Sequence, residues 1–596
     1  MSSTDKSHQF THSNSERRAS TVYGSVGKQG LFLPSDFIRS PKNSAIDADD
    51  NEPLAYAGSN ASAFAATETA PLLGSSAGTS NLKVRRKSSI SRELIEQERE
   101  LLKDNKIPIA HDDDDDEVAE TFENAVSSHK ISSTTASIEL KSLVKSSIPL
   151  VLTFLLQNSL STVSVFTVGH LGAVELAAVS MGAMTANITG YATIQGIATA
   201  LDTLCPQAFG AKNYRLVGVY LQKCTALIFV IMLPILITWL FFGYRLITLI
   251  LPDKETAKYA AVYLQYITPG IPAYILFECG KRFLQAQGIY HISTYVLLFA
   301  APSNLLMNIF FVNQLGYLGA PMAVAINYWL MAIGLYICTV YFVKAEDTPS
   351  QLHPLICWGG IDIKGAFKAW DKLIYLAIPG LIMLEAEFLA FEILTLMASY
   401  LGTIELAAQS IGSTMASLTY QVPFAIGIAS STRIANFLGA GLGEAAKKST
   451  QVALSFGLLI SVLNFSALYF FQTPIAKLFT NDEVVISTVK KIMWLIALMQ
   501  ISDAMNANSA GCLRGQGQTK IGGIVNLFSY YVVGIPLSIY LSFYSKWKGS
   551  LHGLWIGSTV ALTIIGVVQS YYALFANFDK LCDEAHKRTS SPAGHV

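Results

Sequence analysis

Beyond residue 140 the chain alternates long apolar stretches with short polar breaks. Twelve stretches of about 20 residues or more can be counted, at 145–168, 177–205, 216–242, 257–280, 291–314, 319–343, 371–398, 404–432, 446–472, 485–511, 520–543 and 551–576. Each is long enough for an α-helix to cross a hydrocarbon layer about 30 Å thick. Residues 1–140 show no sustained apolar period; Ser, Thr, Asn and Asp dominate, with an acidic run at 112–117. Such a segment buries too little apolar surface to offset chain entropy, so a disordered tail is expected, with one short amphipathic helix around 91–102. The predicted layout is a tail (1–140), a first lobe of six spans (141–344), a linker (345–370), a second lobe of six spans (371–577) and a short tail (578–596).

The spans repeat. Leu171-Gly-Ala-Val-Glu-Leu-Ala-Ala-Val-Ser180 returns 230 residues later as Leu401-Gly-Thr-Ile-Glu-Leu-Ala-Ala-Gln-Ser410, and Leu284-Gln-Ala-Gln-Gly288 returns after 229 as Leu513-Arg-Gly-Gln-Gly517. Shifting the first six spans by 229 lands within a few residues of the second six, so the repeat unit is six spans. An even number of crossings gives both units the same orientation. The fold class expected is therefore an all-α membrane protein of twelve transmembrane helices, in two six-helix lobes related by a pseudo-twofold axis along the membrane normal.

Composition agrees. Hydrophobic residues make up 51% of the chain, charged residues only 14%, and the mean hydropathy is +0.40. The formal net charge of zero carries no information about partners, and nothing points to nucleic acid. The distribution of charge does inform. Lys212, Arg215, Lys281, Arg282, Lys364, Lys368, Lys447, Lys448, Arg514 and Lys520 fall on one side of the spans, while the breaks at 169–176, 314–318 and 399–403 hold no Lys or Arg. The basic side, which also bears both termini, is expected to be cytoplasmic. The seven cysteines lack metal-ligand spacing and read as thiols, not as a disulfide frame.

An ionisable group deep in a bilayer is costly and needs a reason to be there. Span seven carries Glu385, Glu387 and Glu392, and span ten carries Asp503. Glu385 and Glu392, two turns apart, share a helix face; Glu387 lies round the helix from them. Buried carboxylates suit cation coupling because they can exchange a proton for a cationic ligand. Glu278 precedes Lys281 and Arg282 at helical spacing and reads as an ion pair; Asp202, at a helix end, reads as a structural lock. Gln157, Asn158, Asn187, Asn304, Thr414, Tyr420 and Gln421 are polar groups within apolar spans. Amides there commonly bond neighbouring helices, and the remainder are candidates to line a cavity between the lobes.

The N-terminal segment offers short motifs. Ser20 and Ser88 each follow a basic pair at the spacing that basic-directed kinases favour. Glu68-Thr-Ala-Pro-Leu72-Leu73 has the form of an acidic dileucine sorting signal, which an adaptor would read to direct the protein to a vacuolar membrane in preference to the plasma membrane.

Taken together, the two six-span halves, the repeated Leu-Gly-x-x-x-Leu-Ala-Ala-x-Ser, Ala200-Leu-Asp-Thr-Leu-Cys-Pro-Gln-Ala-Phe-Gly-Ala211 and Arg282-Phe-Leu-Gln-Ala-Gln-Gly288 resemble the multidrug and toxin extrusion (MATE) transporters over about residues 140–577. The segment 91–102 resembles the fungal branch. The resemblance implies a secondary antiporter, not an enzyme, exporting xenobiotics or metabolites, organic cations or amphiphiles among them, in exchange for protons, by alternating access. It implies no cofactor and no metal beyond the coupling ion, a proton or sodium, and a small-molecule substrate in a lipid bilayer handled by a monomer. Pro379, Glu387 and Glu392 match the family's span-seven pattern, and Asp503 stands eleven residues before Arg514-Gly515 as the family's span-ten acid does. Two departures stand out: Thr414 occupies a position where animal members carry a glutamate, and Glu385 is additional. The alternatives are a lipid-linked precursor flippase of the same superfamily, for which a more basic cavity would be expected, and a receptor or scaffold, which would not need the buried acids.

Overall fold

The computed structural model describes residues 136–590, apart from 169–170, 250–253, 346–347, 349–351, 480–482 and 546, together with a few positions between 99 and 121. Ser20, Glu68, Leu72, Leu73 and Ser88 lie outside the described residues.

Twelve long helices follow one another: α1 (Ala136–Val168), α2 (173–210), α3 (Tyr214–Thr248), α4 (Lys254–Ala286), α5 (His291–Leu315), α6 (319–342), α7 (Asp371–Ser399), α8 (Thr403–Gly439), α9 (Gly443–Phe470), α10 (Glu483–Gln516), α11 (Thr519–Phe543) and α12 (His552–Leu574). A shorter helix, α13 (Phe578–Thr589), closes the described chain. Nine stretches among the described residues, one of them running through both α5 and α6, are long and apolar enough to span a bilayer on hydropathy alone. The remaining two, α2 and α8, are repeat equivalents that both carry Ser, Thr, Asn and Gln along their length, so their polarity is duplicated with the scaffold. Several helices widen locally into π-helical turns, including Asn187–Tyr191 in α2 and Phe528–Gly534 in α11; such turns concentrate at functional positions. In α2 the widened stretch is braced from α3, where the Trp239 ring packs on Gly190 and its indole N–H donates to Thr189 Oγ1 at 3.1 Å.

Both ends of the described chain sit at one end of the bundle, called here the terminus side. There the lobes pack through contacts that obey the repeat. A Cβ on Gly210 of α2 would collide with the Asn436 carbonyl of α8, and a Cβ on Gly439 of α8 would collide with the Gln207 carbonyl of α2. Glycine lets the two helices approach backbone to backbone, which is how bundles in lipid obtain close packing without a hydrophobic driving force. Around this seam Ser431 Oγ donates to the Asp202 carbonyl at 3.4 Å, Thr203 Oγ1 donates to the Arg514 carbonyl at 2.5 Å, and Arg433 of α8 pairs with Glu139 of α1. One apolar core runs from the first lobe through this seam into α8 and α10, at Ile426, Leu438 and Leu513 among others. Further from the terminus side the second lobe has its own core, built on Ala390, Ile411, Ile496 and Trp555.

The boundaries differ from the sequence-based expectation at both ends. The first helix begins at Ala136, several residues before the apolar run, and its polar first turns carry the Glu139 carboxylate that pairs with buried Arg433. The segment expected as a C-terminal tail forms α13, which buries Phe578, Leu581, Cys582 and Ala585 against α2, α8 and α9. Local hydropathy is low in both stretches, and long-range packing decides them.

Candidate functional site

In α7 a run of Leu, Ala, Met and Glu sustains the helix beyond Pro379 and sets three carboxylates at different angles. Glu385 points at the first lobe, where Thr193 Oγ1 of α2 donates to its Oε1 at 3.2 Å. Glu387 points at α10: Asn506 Nδ2 donates to its Oε2 at 3.5 Å, and Tyr420 of α8 hydrogen-bonds to it as well. Asp503 stands one turn before Asn506 on α10, buried at 4% exposure, and its carboxylate interacts electrostatically with that of Glu387. Glu392 is half-buried five residues further along and does not join this group.

The second-lobe cluster is under-satisfied. Asp503 Oδ1, Asn506 Oδ1, Asn508 Oδ1, Gln500 Nε2 and the Tyr530 hydroxyl are buried with no hydrogen-bond partner among the described residues. Arg514 is buried over the Phe424 ring at 5.8 Å and acts on Glu387 through space, yet its Nε and Nη2 bond to nothing described. Small residues make room for these groups. Gly427 of α8 faces the Ala507 carbonyl, where a Cβ would lie 2.6 Å away, and Gly457 of α9 leaves space for the Asn508 amide. A polar chain leads away from the pair: Ser509 Oγ bonds Gln569 Oε1 at 3.2 Å, Gln569 Nε2 donates to Asn526 Oδ1 at 2.7 Å, and Asn526 Nδ2 donates to the Met383 carbonyl of α7 at 3.1 Å.

The first lobe holds a cluster of its own that the sequence reading understated. The expected Glu278 ion pairs are present, with Lys281 at 2.8 Å and Arg282 at 2.5 Å, and Arg282 reaches Asp202 at 3.2 Å. Gln157 of α1 is part of the same network, donating to Glu278 at 2.6 Å and accepting from Lys281 at 3.0 Å. Gln195 donates to the Tyr274 hydroxyl at 2.7 Å, and Tyr274 packs edge-on to Tyr191 with ring centroids 4.9 Å apart. Gln157 is thus committed to an ion network instead of being left to line a cavity. The signal for it was an acid and two bases at helical spacing inside an otherwise apolar span; the partner from α1 was not visible.

The other expected positions divide. Asn304 does not line a cavity: it is fully buried, and its Nδ2 donates to the Leu160 carbonyl of α1 at 3.1 Å, so it joins α5 to α1. Asn158 is half-buried beside Gln157. Asn187 is exposed on the π-helical stretch of α2, and Thr414 is exposed on α8, where its hydroxyl bonds the Ser410 carbonyl at 2.8 Å. Gln421 is half-buried, with its amide turned back to the Ser417 carbonyl at 3.0 Å.

The MatE family model matches this chain twice, at residues 149–310 and 379–540, together more than half of it and one match per lobe. The chain belongs to the MatE family. An uncharacterized transporter of Saccharomyces cerevisiae is 43% identical over 479 residues, 80% of this chain and 66% of that protein. Multidrug and toxin extrusion protein 2 of Mus musculus is 34% identical over 76% of this chain and 77% of its own length. Among solved structures, the eukaryotic MATE transporter AtDTX14 superposes with a TM-score of 0.70 at 28% identity, covering 76% of this chain and 99% of that one. Like its MATE relatives the protein is a multi-pass membrane transporter, with twelve helices in two lobes. At the 229-residue offset of the Leu284 and Leu513 motifs, Tyr420 stands where Tyr191 does and Asp503 where Tyr274 does.

Proposed function

We propose that this MATE protein is a proton-coupled antiporter that exports organic cations or amphiphiles by alternating access. The reading is carried by one observation: Glu387 and the buried Asp503 lie near enough in the second lobe to interact electrostatically, with Asn506, one turn from Asp503, donating to Glu387, and neither acid makes an ion pair among the described residues. Two carboxyl groups that interact at low dielectric favour taking up a proton or a cation, because two bare like charges repel strongly there. Protonation removes that repulsion and lets Tyr420 and Asn506 rearrange; loss of the proton favours a bound cation. The same ligand-dependent choice biases the lobes between two packings.

The excess of Lys and Arg on the terminus side favours a cytoplasmic location for both termini. On that reading the sealed terminus side makes this the outward-facing state. The acidic dileucine at Glu68, Leu72 and Leu73 favours a vacuolar membrane through an adaptor, and Ser20 and Ser88 are kinase sites on the same tail. One chain contains both lobes and the whole carboxylate group, which favours a monomer. The test is dissipation of a pH gradient by cationic substrates in proteoliposomes, with and without sodium. Exchange that follows pH in the absence of sodium, and is lost in Glu387→Gln, is the expected result; exchange that requires sodium and ignores the pH gradient overturns proton coupling.

A further inference from the structure

The connection between the lobes is short of partners on one face. From Pro354 to Trp370 it lies along the start of α3, pinned by its backbone: Gln222 Nε2 donates to the Gly360 carbonyl at 2.7 Å, Gln222 Oε1 accepts from the Asp362 N–H at 2.8 Å, and Gly218 leaves room for the Trp358 carbonyl. Cys357 and Ala366 turn inward and are buried. Pro354 is buried too, and Trp358 and Trp370 pack half-buried against the core, while the remaining apolar side chains turn away from the protein. Leu355, Ile356, Ile361, Ile363 and Phe367 are 40%, 50%, 77%, 68% and 54% exposed, in a stretch of thirteen residues.

So dense an apolar face, held out by specific backbone bonds, is the pattern of a segment lying in a membrane interface. Two further observations say what covers it. The face continues the exposed apolar surface of the helices it joins, Tyr341 and Phe342 ending α6 and Tyr375 and Ile378 beginning α7, a surface that lies against lipid in a multi-pass protein. Lys364 and Lys368 are exposed among the apolar tips, in the position to meet headgroup phosphates.

We propose that residues 354–368 form an in-plane anchor for an anionic lipid leaflet, with Ile356, Ile361, Ile363 and Phe367 entering the acyl boundary and Lys364 and Lys368 binding phospholipid phosphates. Because Gln222 ties the segment to α3 while its far end leads into α7, the anchor holds the first lobe at a fixed depth and gives the second lobe a reference to move against.

The test uses the full chain with a spin label at an Ile361→Cys site, reconstituted in phosphatidylcholine alone or in an equimolar mixture with phosphatidylserine. Ile361 is exposed, so the label leaves the packing intact. In the mixture the label should be more accessible to dissolved oxygen than to a water-soluble nickel chelate, and the Lys364→Glu/Lys368→Glu variant should lose the difference between the two lipid compositions. A label open to the nickel chelate in both membranes overturns the anchor. Protection from both reagents with dipolar broadening that grows with protein density would make the face a contact between copies, and overturns it too. Equal depth in both membranes without any effect of the lysine changes overturns the anionic preference. None of these outcomes depends on the coupling ion.

Discussion

The two lobes share a scaffold but carry their buried charge at different repeat positions: 229 residues on from Glu278, Asp202, Lys281 and Arg282 stand Ala507, Ser431, Ala510 and Gly511. In the first, Glu278 and Asp202 meet Lys281 and Arg282 within hydrogen-bonding or ion-pairing distance, and Gln157 bonds both Glu278 and Lys281. In the second, Glu387 and Asp503 interact electrostatically with each other, among amide and hydroxyl neighbours and one guanidinium that makes no ion pair with them. One cluster is balanced in charge and the other is not. A balanced buried network resists change, since losing either partner strands a charge in low dielectric. An unbalanced one can be completed only by something from outside, and the ion it accepts becomes a variable of the structure. Duplication thus supplied two similar frames, one holding a charge-balanced network and the other the carboxyl groups that, on the function proposed above, respond to an ion.

The comparison can be broken most directly at the responsive site. Glu387→Gln or Asp503→Asn is expected to abolish pH-driven uptake into inside-out vesicles while expression and monodispersity remain; normal exchange in both variants would remove the coupling role. Glu278→Ala should act in the opposite manner, lowering stability by about 3–5 kcal/mol, because Lys281 would be left without its carboxylate while Arg282 keeps only Asp202. Thermal unfolding in detergent reads this directly, and Glu278→Ala combined with Lys281→Met should recover much of the loss. Gly210→Ala and Gly439→Ala should each cost the sealed arrangement about 1–3 kcal/mol through overpacking. As reciprocal contacts they should shift the distance between labels on the two lobes to a similar extent; strongly unequal shifts would break the symmetry. The finest contrast is between tyrosines: Tyr420→Phe should alter the pH profile of exchange, whereas Tyr274→Phe should leave the profile in place and cost about 1 kcal/mol in stability.

Much of this was legible in the chain. The 229-residue offset that aligns the halves is the one that relates Gly210 to Gly439 and Gln207 to Asn436 across the axis. Three acids in span seven and one in span ten stood out because charge is conspicuous in apolar sequence. Helical phase separated Glu387 from Glu385 correctly, although it could not say that Glu385 meets Thr193 or that Glu392 stands apart. What stayed hidden depends on contacts across hundreds of residues: the partnership of Gln157 with Glu278, the pairing of Glu139 with Arg433, the use of Asn304 as a joint, and the docking of α13. Amides look alike in sequence whether they glue helices or face a cleft, and only the neighbouring helix decides.

The glycine seam has a further consequence. Its two contacts, Gly210 on Asn436 and Gly439 on Gln207, are twofold counterparts about one axis, made of backbone atoms that neither titrate nor change rotamer. Such a joint has no graded settings. Tilting the lobes to relieve one contact relieves its twofold counterpart as well, so the pair behaves as a single catch that is either engaged or clear.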